Sequence, residues 1–186
     1  MNTSQYKSFG IVTILVVLMA ATRSHHFDSL THLPDASLAV FILAGFYLPL
    51  IAFPTLLLVA GVADYFAFNY VGINDWCFTP AYWFLVPTYA VLFYAGRFFS
   101  KRYQFTWRGL MEFAAIAAGA TSVAFLISNA SFYLLAGYFE KMSALEYVGS
   151  VAQYFMPYQV SALMYLSIAA VLHVLMSGSH RINQSA

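Results

Sequence analysis

Charge is what this chain has least of. Only 8% of its 186 residues are Asp, Glu, Lys or Arg, whereas 62% are hydrophobic. Globular domains average about 25% charged residues, so a water-soluble domain is excluded. The formal net charge of +1 argues against a nucleic-acid partner. Cysteine is almost missing as well. The single Cys77 rules out an intrachain disulfide and a Cys-x-x-Cys thiol oxidase. There is no glycine loop with lysine to cradle phosphate, so the chain hydrolyses no nucleotide itself. Gly-x-Ser-x-Gly and His-Glu-x-x-His are absent too.

What remains is a series of long apolar runs. A bilayer requires spans of about 20 apolar residues, and because lipid cannot satisfy backbone N–H and C=O groups such runs must be helical. The alternation of a membrane barrel is lacking. The sequence therefore predicts an all-α membrane protein, a six-helix transmembrane bundle forming one integral domain over residues 1–186. Its spans run over Tyr6–Thr22, Ser37–Leu48, Phe53–Tyr70, Ala81–Phe99, Leu110–Leu135 and Val151–Ser177. The first run has Lys7 before it and Met19-Ala20-Ala21 near its end, the outline of a signal peptide. An uncleaved first helix is the preferred reading, since further spans follow.

Leu38 to Tyr70 is nearly uninterrupted and could form one tilted helix. Pro49 and Pro54 each remove a backbone donor and disfavour helix just before them, so a turn is expected there. Lysine and arginine placement agrees. With six spans and cytoplasmic termini, Lys7, Arg97, Lys101, Arg102, Arg108 and Arg181 lie inside and Arg23 and Lys141 outside. Merging the second and third spans would put Arg97 to Arg108 opposite Lys7.

The outward connections are then Arg23–Ala36, Val71–Pro80 and Gly137–Gly149. They carry Cys77 and His25, His26 and His32. Six of the seven acids belong to this face, counting Asp64 in the outer half of the third span. Chemistry is expected there.

Cys77 has two readings: a small buried hydrophobe, or a thiolate for a soft or borderline metal centre such as the cobalt of a corrinoid or zinc. Its neighbours Asn74, Asp75 and Thr79 are polar, and Trp76, Phe78 and Tyr82 offer flat surfaces. His25 and His26 are interfacial imidazoles bonded to backbone or water, or one of them touches a ligand or tunes the thiolate. No His pair one turn apart builds a zinc site. Asp64 sits in an apolar run, either paired with Arg23 or pointing into an outward cup. Glu112 is expected to pair with Arg108 on one helix face. Tyr82, Tyr89, Tyr154, Tyr158 and Tyr165 could line a pocket for a large, partly flat ligand. The small residues from Ala114 to Ala120 form a packing face, inside the bundle or against a partner.

A six-span chain with polar outer connections resembles the substrate-binding S components of energy-coupling-factor (ECF) vitamin transporters. More narrowly, Ser24-His25-His26-Phe27-Asp28, Asp64-Tyr65 and the run from Asn74 to Tyr82 resemble the BtuM family of small, solitary cobalamin transporters. The layout agrees along essentially the whole chain, and the specific likeness is confined to the segments around His25, Asp64 and Cys77. The resemblance implies capture of cobalamin at the outer side of a bacterial inner membrane, with the Cys77 sulfur as axial ligand to cobalt. It also implies that thiolate ligation assists loss of cyanide from cyanocobalamin, with His25, Asp64 and Tyr82 as pocket residues. An ECF module is the partner that the wider family implies. The first helix, Gly10 to Ala21, lacks the Ala-x-x-x-Ala face on which such modules dock, in keeping with a solitary member. Two other classes remain open at this point. One is a haem- or metal-binding membrane redox protein using His25, His26 and Cys77. The other is a non-catalytic assembly subunit whose alanine-rich face binds a partner helix.

Overall fold

A computed structural model of the protein describes residues 3–23, 33–70 and 79–184. Where its helices begin is written in the prolines. Pro54 is the third residue of α3 (Ala52–Tyr70), Pro87 the third of α4 (Leu85–Ser100), and Pro157 the third of α7 (Phe155–Gln184). The first turn of a helix has N–H groups without intrahelical partners, so a missing donor costs nothing there. The other helices are α1 (Thr3–Arg23), α2 (Ser37–Tyr47), α5 (Trp107–Leu135) and α6 (Ala144–Val151). Two 3-10 turns, Pro80–Phe84 and Ala152–Tyr154, lead into α4 and α7. No strand occurs among the described residues.

The chain breaks between α2 and α3 at Leu48 to Ile51, where Ala52 N–H donates to the Pro49 carbonyl at 3.0 Å. The expected Pro49–Pro54 turn is thus present. Most helix ends differ by a few residues from expectation, α7 running over Phe155–Gln184 where a span over Val151–Ser177 is expected, and two differences change the local structure. The apolar segment that starts at Ala81 enters as a 3-10 turn before its helix proper begins at Leu85. The connection Gly137–Gly149 is not purely loop, because α6 starts inside it. Ser143 caps that helix: its hydroxyl accepts from Glu146 N–H while the Glu146 carboxylate reaches back to Ser143 N–H. This reciprocal pair satisfies two otherwise orphaned donors. The Ser-x-x-Glu spacing was legible but lay outside the apolar runs.

α2 is the centre. All nine residues from Ser37 to Gly45 are buried, and α1, α3, α4 and α7 pack around it. Eleven residues at 1.5 Å each span only about 16 Å, which suits a helix enclosed by its neighbours. Its tightest partner is α4. A Cβ built on Gly45 would meet the Phe93 carbonyl oxygen at 1.9 Å, and one on Gly96 would meet that of Ile42 at 1.9 Å. The two helices touch backbone to backbone, which only a missing side chain permits. Phe41 stacks on Tyr89 of α4 at 4.2 Å between ring centroids. α5 covers the far side of α4 and also meets α7.

Two helical stretches, Trp107–Leu135 and Ala144–Met176, are long and apolar enough to cross a membrane. The small residues of α5 divide between two faces. Ala117 and Ala120 are buried beside Thr121 and Ala124, whereas Ala114, Ala115 and Gly119 are exposed. Between α5 and α7, the Thr121 hydroxyl bonds the Gln159 side-chain oxygen, and Gln159 Nε2 donates to Ser122 Oγ at 2.9 Å.

Candidate functional site

Apart from the Thr121–Gln159–Ser122 contact, the side-chain networks between helices lie at the two ends of the bundle. At one end α1 finishes, α2 begins, α3 finishes and α4 begins. Arg23 closes α1 and points inward, only 7% exposed. Its guanidinium forks onto Asp64 of α3, with Nε to Oδ1 at 2.5 Å and Nη2 to Oδ2 at 2.7 Å. Nη1 donates to Ser37 Oγ at 2.9 Å and to the Tyr89 hydroxyl at 2.7 Å. The Ser37 hydroxyl in turn donates to Asp35 Oδ1 at 2.7 Å. Tyr82, in the 3-10 turn, donates its hydroxyl to Asp64 Oδ2 at 2.7 Å.

A buried charge is costly unless it is paired and its donors are satisfied. Arg23 and Asp64 meet that condition through a bidentate pair, the strongest geometry available to them. The network ties together α1, α2, α3 and the 3-10 turn and first turns that open α4. Of the two readings open for Asp64, the geometry realises the pairing with Arg23. Tyr82 belongs to the same cluster. The structure therefore brings Asp64 and Tyr82 together, with Arg23 between them and α2.

Cys77 and His25 lie outside the described residues, as do His26 and Asp75. The chain on either side of them is described. Segment 24–32 leaves from Arg23 and returns at Leu33 to Ala36, where Ala36 N–H donates to Thr22 Oγ1 at 3.1 Å. Segment 71–78 leaves from the end of α3, six residues past Asp64, and returns at Thr79, three residues before Tyr82. Both segments thus begin and end beside the Arg23–Asp64–Tyr82 cluster. The Thr79 hydroxyl is buried with no hydrogen-bond partner among the described residues.

The five tyrosines proposed as one pocket wall are spent differently. Tyr82 and Tyr89 serve the Arg23 network, and the Tyr165 hydroxyl donates to the Pro34 carbonyl at 2.6 Å. Tyr154 is 60% exposed. Tyr158 packs edge-on against Phe125. Glu112 faces Arg102 at 3.6 Å rather than Arg108.

The opposite end holds what the sequence did not announce. His173 of α7 is bridged by two tyrosines, with the Tyr47 hydroxyl 2.8 Å from Nδ1 and the Tyr103 hydroxyl 2.7 Å from Nε2. Both ring nitrogens are engaged, which leaves neither for a metal, so His173 cannot serve as a haem ligand in this arrangement. Beside this clasp a cavity of about 280 Å³ opens, walled by Phe46, Phe99, Phe105, Trp107, Phe113 and Leu166. Arg97 Nη1 donates to the Leu48 carbonyl at 3.2 Å and closes the C-terminus of α2. Tyr47 and His173 are 126 positions apart, and no local pattern links them.

Among the described residues no group of three or more His, Cys, Asp or Glu could hold a metal ion. Comparison with known proteins gives no match to any family model and no matching curated protein.

Proposed function

We propose that this chain is a multi-pass protein of a bacterial inner membrane that captures cobalamin at its outer face and carries it inward. The reading takes six crossings with cytoplasmic termini. It is supported by helices within all six segments, two of them long and apolar enough to cross a membrane, and by the clustering of Arg97, Lys101, Arg102 and Arg108 beyond the end of α2 opposite Arg23. The observation that carries it is the convergence at the Arg23–Asp64–Tyr82 end. The segments bearing His25 and Cys77 both leave and return there.

The chemistry assigned to Cys77 is ligation of cobalt by its thiolate. A strongly donating sulfur weakens the bond opposite it. In cyanocobalamin the sulfur takes the lower position as the benzimidazole nitrogen leaves it, and the upper cyanide departs with its electron pair and takes up the proton that the thiol released, the cobalt keeping its oxidation state. Metal arrives with the cargo, so no resident cluster of ligands is required. The Arg23–Asp64 pair holds the rim rigid, with His25 and Tyr82 as cargo contacts. The bulky first helix supports action without an ECF module.

The test is the absorbance spectrum of protein purified from cells supplied with cyanocobalamin. The expected result is a corrinoid spectrum shifted by sulfur ligation, lost in Cys77→Ser and Cys77→Ala. A colourless preparation, or an unchanged spectrum in both variants, would defeat the assignment.

A further inference from the structure

The aromatic cavity at the end opposite Arg23 plays no part in that reading, yet it is built with care. Four elements wall it: the end of α2, Phe99 of α4, the connection and first turns from Tyr103 to Phe113, and α7 from Leu166 to Val174. The Tyr47–His173–Tyr103 clasp joins three of them beside the opening. The walls are almost wholly apolar, so an occupant is held by hydrocarbon contact.

The rim has a different character. Lys101, Arg102 and Arg108 are all exposed, and they alternate with cavity-lining residues along one short stretch. Tyr103 follows Arg102, and Arg108 lies between Trp107 and Gly109, which both line the cavity. Arg102 also lies over the Phe98 ring at 5.0 Å. One acid, Glu112, faces Arg102 at 3.6 Å, so the rim keeps a net positive charge of two. Trp107 is 76% exposed, the amphipathic placement expected at a membrane–water interface.

An apolar slot beside a cationic rim at an interface matches one chemistry: a hydrocarbon chain carrying an anionic head. We propose that this cavity binds an anionic phospholipid, one acyl chain entering between α2, α5 and α7 and the phosphate resting against Lys101, Arg102 and Arg108. The site rests on membrane embedding alone and is independent of the cobalamin reading.

Trp107 reports on it directly. In a Trp76→Phe/Trp83→Phe background it is the sole tryptophan. The protein is reconstituted in phosphatidylcholine vesicles, and brominated-chain phosphatidylglycerol or brominated-chain phosphatidylcholine is titrated in. Half-maximal quenching is expected at a several-fold lower fraction of the anionic lipid, each rim cation being worth about fivefold near an anionic surface. Lys101→Gln/Arg102→Gln/Arg108→Gln should make the two lipids equivalent, and Ala170→Phe, which fills the slot, should remove the preference while sparing the rim. A chain with Trp83 alone, at the other end, should show no preference. Equal quenching of Trp107 by both lipids would overturn the proposal. So would a preference that survives the triple substitution. Shielding from both lipids in a species with the mass of a dimer would assign the cavity to a second copy instead.

Discussion

Gly45 and Gly96 lie face to face where α2 crosses α4, each beneath a main-chain carbonyl of the other helix. In lipid the bilayer is as apolar as the side chains, so burial alone gives helices little reason to associate. Close backbone approach supplies dispersion that larger residues would block. Gly45→Ala or Gly96→Ala puts a methyl group where the carbonyl oxygen already sits, and helix backbones cannot flex away locally. Overpacking of this kind costs about 1–3 kcal/mol and sometimes more. Thermal unfolding in detergent should show each variant clearly destabilised. By contrast Gly119→Ala, where a Cβ meets nothing within 4 Å, should be neutral.

Arg23 and Asp64 should behave as a unit. Removing one partner of a buried pair typically costs about 3–5 kcal/mol, because the other charge is stranded, while replacing both with apolar residues costs much less. Asp64→Leu and Arg23→Leu are each expected to lower stability sharply, and the double variant to recover a large part of the loss. Strict additivity in the cycle would show that the pair is not coupled.

The α5–α7 contact through Thr121 and Gln159 should be worth less. Interhelical hydrogen bonds measured in membrane proteins average about 0.6 kcal/mol. Gln159→Met keeps the side chain's length and removes both bonds, so a loss of more than about 2 kcal/mol would contradict that modest role.

Acid should loosen α6 before the rest. Bonds from the Ser143 hydroxyl and backbone N–H hold the Glu146 carboxyl below its ordinary range. A depressed carboxyl pKa contributes stability that is present above the unfolded-state value, about 4.3, and lost as pH falls through the folded one. Amide protection in Ala144–Val151, taken relative to the intrinsic exchange rate at each pH, should therefore fall on acidification below about pH 4. Glu146→Gln should remove that pH dependence, and an unchanged profile in the variant would assign the effect to another group.

Replacing His173 separates the clasp from the cavity it borders. His173→Phe preserves bulk but removes the shared partner of the half-buried Tyr47 hydroxyl and the exposed Tyr103 hydroxyl, at a cost of about 1 kcal/mol. A stability drop is expected that His173→Gln partly reverses, since an amide can again bridge two hydroxyls. Equal stability of all three proteins would remove the clasp from the list of stabilising contacts.

The helical segments were legible because long apolar runs and proline positions constrain helices strongly. Apolar runs must be helices, prolines settle in first turns, and Pro49 with Pro54 divides one long run into α2 and α3. Asp64 was conspicuous for the same reason, as a lone carboxylate among apolar neighbours, and Arg23 was its nearest conceivable counter-ion. The tyrosines were not legible. A tyrosine reads alike whether it bonds Asp64, as Tyr82 does, the Pro34 carbonyl, as Tyr165 does, or His173, as Tyr47 does. Capping-box chemistry at Ser143 is local, a Ser-x-x-Glu spacing that lies outside the apolar runs.

Composition and hydrophobic pattern by themselves determined that this chain is helical and where most of its helices fall, because long apolar runs bounded by proline and polar breaks satisfy their backbone locally only as helices. Only the tertiary structure decided that α2 lies at the centre, that Gly45 and Gly96 meet, and that Arg23 turns inward to Asp64. It alone brought Tyr47, Tyr103 and His173 around a cavity. Those relations join residues dozens to more than a hundred positions apart, and they depend on how rigid helices cross, which no local run of residues encodes.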